Sequence, residues 1–347
     1  MKYHSLLFVF IMGCSSVKNI NYPDGIKYFE VTPSVETEPV SSTDDAADDI
    51  AIWINDLSVE NSIIIGTNKQ TGLDTYNLSG NMIKSYEFGR INNVDVFQEF
   101  NVGKEKFPLV IGSNRTDNTI FLGRLYSDGS INKILKNDPK SFIEEVYGIT
   151  SYNSNDVDYV FISGKDGTLE QWLIEDNKGT LNMSLIRTIK FNSIVEGLVS
   201  DTYYEKLYVA EETIGLWEIN INPNIDLNKK LIFKTDKRYF KPDFEGVTLY
   251  KKDNGEGYIF LSVQGSNSYA VLDRKSKEFK SVFRIKKSIN IDSVSDTDGI
   301  DLSQLSTNKF LEGLFIVQDG DNDNQNQNFK FVNLSSILDK IYEKPQL

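Results

Sequence analysis

The chain reads as an all-β protein: a six-bladed β-propeller, with four-stranded antiparallel blades around a central channel. Three observations predict it. An acidic or phenolic residue opens an apolar run six times, at Asp48, Asp95, Tyr147, Glu196, Glu245 and Asp298, with spacings of 47, 52, 49, 49 and 53 residues. A period of that size marks a propeller blade. Each unit then breaks into short alternating or β-branched runs separated by Gly, Asn and Asp turns. In the first unit these runs are 50–54, 62–66, 73–76 and 82–88. No segment holds a 3.6-residue apolar period, so few helices are expected.

The 347 residues divide in three. Residues 1–14 read as a lipoprotein-type export signal: Lys2, an apolar stretch from Leu6 to Met12, then Ile11-Met12-Gly13-Cys14, which resembles a bacterial lipobox with Cys14 as the lipidated residue. That apolar stretch is too short to span a bilayer. Residues 15–24 form a tether, and 25–347 a single propeller. The early run Gly25–Thr32 matches no repeat and is expected to pair with the last blade near Phe329–Leu334, closing the ring and hiding sheet edges. The expected product is exported and anchored to a bacterial membrane, facing periplasm or cell surface, as a monomer.

Losing the signal removes most familiar catalytic chemistry. His4 is the only histidine and Cys14 the only cysteine. Ser-His-Asp triads, histidine phosphoryl carriers, cysteine phosphatases and His-ligated zinc or iron sites are thereby excluded. The formal charge of −13 repels nucleic acid and anionic lipid. No nucleic-acid partner is expected, and membrane contact only through the lipid.

In an antiparallel meander the start of strand one and the end of strand two share one face. The loops after strand two therefore join the six acidic or phenolic positions. They carry Lys69, Arg115, Lys165, Glu212, Gln264 and Asp319. Asp48, Glu196, Glu212, Asp243, Glu245 and Asp298, with the Gln264 amide, would converge on the channel mouth. An all-oxygen donor set without histidine selects a hard cation, and its mix of acids and amides favours calcium. Lys69, Arg115 and Lys165 opposite it suit a phosphate group, and Tyr147 adds a phenolic donor. Asp319-Gly320-Asp321-Asn322-Asp323 fails as an EF-hand loop, because Asn324 and Lys330 hold its sixth and twelfth positions.

At these residues the chain resembles the β-propeller phytases, calcium-dependent phosphatases of myo-inositol hexakisphosphate. Matching stretches include Glu36-Thr37-Glu38-Pro39, Ala47-Asp48-Asp49-Ile50-Ala51-Ile52-Trp53, Gly66-Thr67-Asn68-Lys69 and Asn92-Asn93-Val94-Asp95. Others are Glu145-Val146-Tyr147-Gly148, Glu196-Gly197, Ala210-Glu211-Glu212, Asp243-Phe244-Glu245-Gly246, Gln264-Gly265 and the run from Ser295 to Asp301. The resemblance implies several calcium ions held by Asp48, Glu196, Glu212, Asp243, Glu245, Gln264 and Asp298. It places phosphate on Lys69, Arg115, Tyr147 and Lys165, with Asn92, Asn93 and Asp95 also on the substrate side. It implies a stabilising calcium at Asp292, Asp319, Asp321 and Asn322. Hydrolysis would be direct in-line attack by a calcium-activated water at Glu196 and Glu212, without a phospho-enzyme. Gln70 stands where the family often carries a second lysine, Ser293 replaces a usual glycine, and the loop at 321–327 is short. Two other readings stay open: a noncatalytic propeller that binds polyphosphorylated ligands through calcium, and a broader calcium-dependent phosphatase or phosphodiesterase.

Overall fold

Six antiparallel sheets follow one another around an axis in the computed structural model, which describes residues 22, 25–154 and 157–343. The export signal and Cys14 lie outside the described residues, as does the tether apart from Tyr22. Blade 1 runs Ala47–Trp53, Ile63–Asn68, Gly72–Tyr76 and Met82–Tyr86; blade 2 runs Ile91–Val102, Glu105–Asn114, Thr119–Leu125 and Ile131–Lys133. Blade 3 is Val146–Asn153, Asp158–Gly164, Thr168–Asn177 and Thr180–Lys190, and blade 4 Val195–Asp201, Lys206–Glu211, Gly215–Asn220 and Lys230–Lys234. Blade 5 is Phe244–Lys251, Gly257–Val263, Ser268–Asp273 and Phe279–Ile285, and blade 6 opens with Ile300–Ser303, Leu314–Asp319 and Asn328–Asn333. The α-helix Leu334–Tyr342 buries Leu334, Ile337 and Leu338.

Ring closure differs from the sequence expectation. Lys27–Val31 pairs in parallel with Ser281–Ile285 and becomes a fifth strand of blade 5. The next short strand, Val35–Glu36, pairs with Phe331 and Lys330 as the outermost strand of blade 6. The N-terminal chain thus clasps two blades, and two residues rather than the long run close the ring. A length of strand alone does not reveal which sheet edge it will meet.

The cores lie between neighbouring blades. Phe97, Leu109 and Ile111 of blade 2, for example, pack with Ile149, Val160 and Ile162 of blade 3. Each such side chain contributes about 1.5–3 kcal/mol on burial.

A bulge sets the geometry at the axis. The ladder between strands one and two slips after Ala47, Ile91, Val146, Val195 and Phe244. A bulge leaves an extra residue unpaired and re-aims its side chain. The residue after each slip is Asp48, Asn92, Tyr147, Glu196 or Glu245, and Asp298 takes the same place in blade 6. Glycine follows in four blades because the next blade's backbone passes close by. A methyl on Gly148 would stand 1.8 Å from the Glu196 carbonyl oxygen, and one on Gly197 1.9 Å from that of Glu245. Side chains of the second strands also staple adjoining blades: Ser163 Oγ accepts from Gly148 N at 3.0 Å and donates to Val195 O at 2.7 Å.

This register corrects two readings. In blade 2 the ring position is Asn92, and Asp95 lies three residues further down the strand. Asp95 accepts from Thr150 Oγ1 and from Ser151 N and Oγ, tying blade 2 to blade 3. With Asp301 it lines a cavity of about 1150 Å³ at the opposite channel mouth, so it does not face a ligand at the acidic rim. In blade 6 the backbone bond that fixes the loop position after strand two comes from Gly320, to Ser295 O. Asp319 stands one residue short of that position, and alternation along a strand turns its side chain to the other face.

Candidate functional site

The ring residues converge at one mouth of the channel. Asp48, Glu196, Glu245 and Asp298 are buried there with Glu212 from the loop after strand two of blade 4. Oxygens of Glu196, Glu212 and Glu245 all lie within 4.8 Å of one another. Burial and the charges of neighbouring acids push Glu196, Glu212, Glu245 and Asp298 up. Burial raises Glu212 to about 8 and Glu245 to about 7, with like charges adding to both. Burial, then the charges of Asp48 and Glu245, hold Glu196 well above the usual carboxylate range, and Asp298 is raised in the same way. Asp243, at the entry to the same strand as Glu245, is raised by burial. Gln264 donates from Nε2 to Asp298 Oδ1.

Asn92 knits the ring together. Its Nδ2 donates to Asp48 Oδ2 at 2.9 Å, Glu196 Oε1 at 3.0 Å and Asn93 Oδ1 at 2.8 Å, while its Oδ1 accepts from Arg115 at 2.8 Å. Asn93 stands in the place that glycine takes in blades 3 to 6, and its side-chain Oδ1 accepts from Asn92 Nδ2.

The three candidate cations separate. Arg115 and Lys165 stand together over the Tyr147 ring, 5.8 and 4.9 Å from its centroid. The Glu196 charge and then burial hold the Tyr147 phenol protonated, as a donor. Lys69 instead lies among acids, with Nζ 2.6 Å from Asp45, 2.7 Å from Asp48 and 3.9 Å from Asp298. Those charges outweigh burial and keep its ammonium protonated. It therefore neutralises the Asp48–Asp298 side of the ring.

The peripheral set behaves differently. Asp292 and Asp319 both pair with the buried ammonium of Lys330. Asn322 donates from its backbone to Asp319 at 3.2 Å, its side chain meets Asn328 at 3.1 Å, and Asp321 is exposed. A lysine already balances the two acids there.

Three side chains at the mouth and just below it were not singled out from the sequence. Asp45 pairs with Lys69 from the surface. Asp49, beside ring residue Asp48, is half-buried and accepts from Val94 N at 3.1 Å, with its carboxyl pushed well up by desolvation. Glu145 bridges Arg115 and Lys165. Its place, two residues before Tyr147, matches that of Asp243 before Glu245, and that correspondence was the signal available.

Comparison with known proteins agrees with this arrangement. The family profile described as Phytase matches residues 4–347. A protein from Bacillus subtilis (strain 168) named 3-phytase is 39% identical over 341 residues, covering 94% of this chain and 89% of that protein. Two solved structures match more distantly. One is a functionally unknown protein from Desulfotomaculum acetoxidans, with TM-score 0.47, 12% identity, and 67% and 70% of the two chains covered. The other is the β-propeller domain of Cps50 from Myceliophteria thermophila, with TM-score 0.48, 9% identity, and 82% and 83% covered. The family match spans the propeller and every residue of the acidic rim, and the chain belongs to the phytase family.

Proposed function

We propose that this protein hydrolyses phosphomonoesters of myo-inositol hexakisphosphate in a calcium-dependent reaction, releasing inorganic phosphate and lower inositol phosphates. One juxtaposition supports it: three buried glutamates within 4.8 Å of one another, facing an Arg115–Lys165 pair over a protonated tyrosine. The donor set fits a hard cation, being all oxygen, and Glu245 Oε2 is buried without a hydrogen-bond partner. Asp48, Glu196, Glu212, Asp243, Glu245, Gln264 and Asp298 would hold the ions. Bound calcium would neutralise these acids and lower the pKa of the attacking water.

The remaining work falls to protein groups. Arg115 presents NH1 and NH2 on a guanidinium already fixed by Asn92, which suits phosphate oxygens. Lys165 adds a point charge, and Tyr147 donates its phenolic proton to the same group. Lys69 offsets Asp48 and Asp298, so a polyanion meets less repulsion. A lipid anchor at Cys14 would hold the enzyme at a membrane, a proposal that rests on the sequence.

Phosphate release from calcium phytate by the purified chain tests the reading. Release is expected to stop in excess chelator and return with calcium, and to exceed release from simple monoesters and diesters. Full turnover in excess chelator, or no release in calcium, would overturn it.

A further inference from the structure

Glu145 is a part-exposed acid that holds both cations of the proposed phosphate site. Its Oε1 alone accepts from Arg115 and, at 3.1 Å, from Lys165 Nζ. The Arg115 side chain is 11% exposed, Lys165 36% and Glu145 45%, so the acid is the outermost of the three. Arg115 is fixed from below through NH1 by Asn92, and its Nε is buried without a partner. The two cations pull the Glu145 carboxyl below its ordinary range despite burial. A carboxylate oxygen between a guanidinium and an ammonium occupies the position that a phosphoryl oxygen needs.

We propose that Glu145 is an internal competitor for the phosphate site and sets how much charge a ligand must bring to occupy it. The proposal rests on the function proposed above. A dianionic phosphoryl group offers both cations more charge than the carboxylate and displaces it. A monoanionic diester offers a charge no greater than that of Glu145 and displaces it poorly. The acid opposes every ligand by the same free energy, which leaves a strongly held dianion bound and costs the weaker monoanion its foothold. Displacement is open to Glu145 because its side chain borders solvent, where an ion pair is worth about 1 kcal/mol or less. Glu145 acts through Arg115 and Lys165 and is a positioning residue.

The test uses the full chain and Glu145→Gln, titrated calorimetrically with inorganic phosphate and with dimethyl phosphate in submillimolar calcium. The variant is expected to bind dimethyl phosphate about fivefold more tightly, the fold-change equivalent of one such ion pair. Phosphate binding should tighten by a similar factor, and KM for phytate should fall while kcat does not rise. In an Arg115→Ala background the Gln substitution should gain nothing. Glu145→Ala supplies a second variant with the same expected direction. Weaker or unchanged binding would overturn the proposal, since an acid that merely orients Arg115 improves the site. Absence of binding to either chain would also overturn it. If wild type releases no phosphate from phytate but Glu145→Gln tightens binding, the function reading fails and this one stands.

Discussion

Glu196→Gln is expected to lower phosphate release from calcium phytate at least ~100-fold, the scale of removing one charged group from a preorganised electrostatic site. Glu196 touches Asn92, which also holds Asp48 and Arg115, so both halves of the rim feel the change. Gln keeps the side-chain volume and can still accept from Asn92 through Oε1. The fold should survive, and thermal unfolding of the metal-free variant should not fall below wild type, because a repelled buried acid has become neutral. Retention of more than a tenth of the activity would count against the assignment.

Arg274→Ala should produce the largest loss of stability, about 3–5 kcal/mol in denaturant unfolding. Arg274 is 1% exposed and grips Asp201 with two bonds of 2.7 Å, while NH1 donates to the carbonyls of Lys252 and Glu256. Tyr203 and Tyr204 pack over the guanidinium. The pair joins blade 4 to blade 5, and removing one partner strands Asp201 as a buried charge. A loss below 1 kcal/mol would mean that Asp201 finds water or another cation.

Much of this was legible in the sequence because a propeller repeats its chemistry. The Glu-Gly pairs at Glu196 and Glu245 and the Tyr-Gly and Asp-Gly pairs at Tyr147 and Asp298 mark bulges where neighbouring backbones leave no room for a Cβ. That constraint fixes four of six ring positions. It gives no guidance where Asn93 and Asp49 fill the glycine place. In blade 2 the spacing picks out the acid Asp95, and the amide Asn92 holds the ring place instead. Asp319 misled for a related reason: a one-residue shift reverses the face of a strand, and spacing between loops cannot resolve one residue. The split between Lys69 and the Arg115–Lys165 pair was also hidden, since it depends on which long side chains reach which acids. Closure by Val35–Glu36 needed the sheet edges themselves.

The rim can be tested most directly by titrating calcium into the metal-free chain in two buffers of different ionisation enthalpy. With Glu212 near 8 and Glu245 near 7, the folded protein retains protons on these acids at pH 7 that free carboxyls would have lost. Their raised values stabilise the metal-free fold at low pH, an advantage lost as pH rises through about 7 to 8. Calcium needs the ionised form, so binding at pH 7 should expel on the order of one proton, and fewer above about pH 8. Affinity should rise over the same window. A folded chain that takes up no calcium, or takes it up at pH 7 without releasing protons, would contradict the rim as a metal-holding ring.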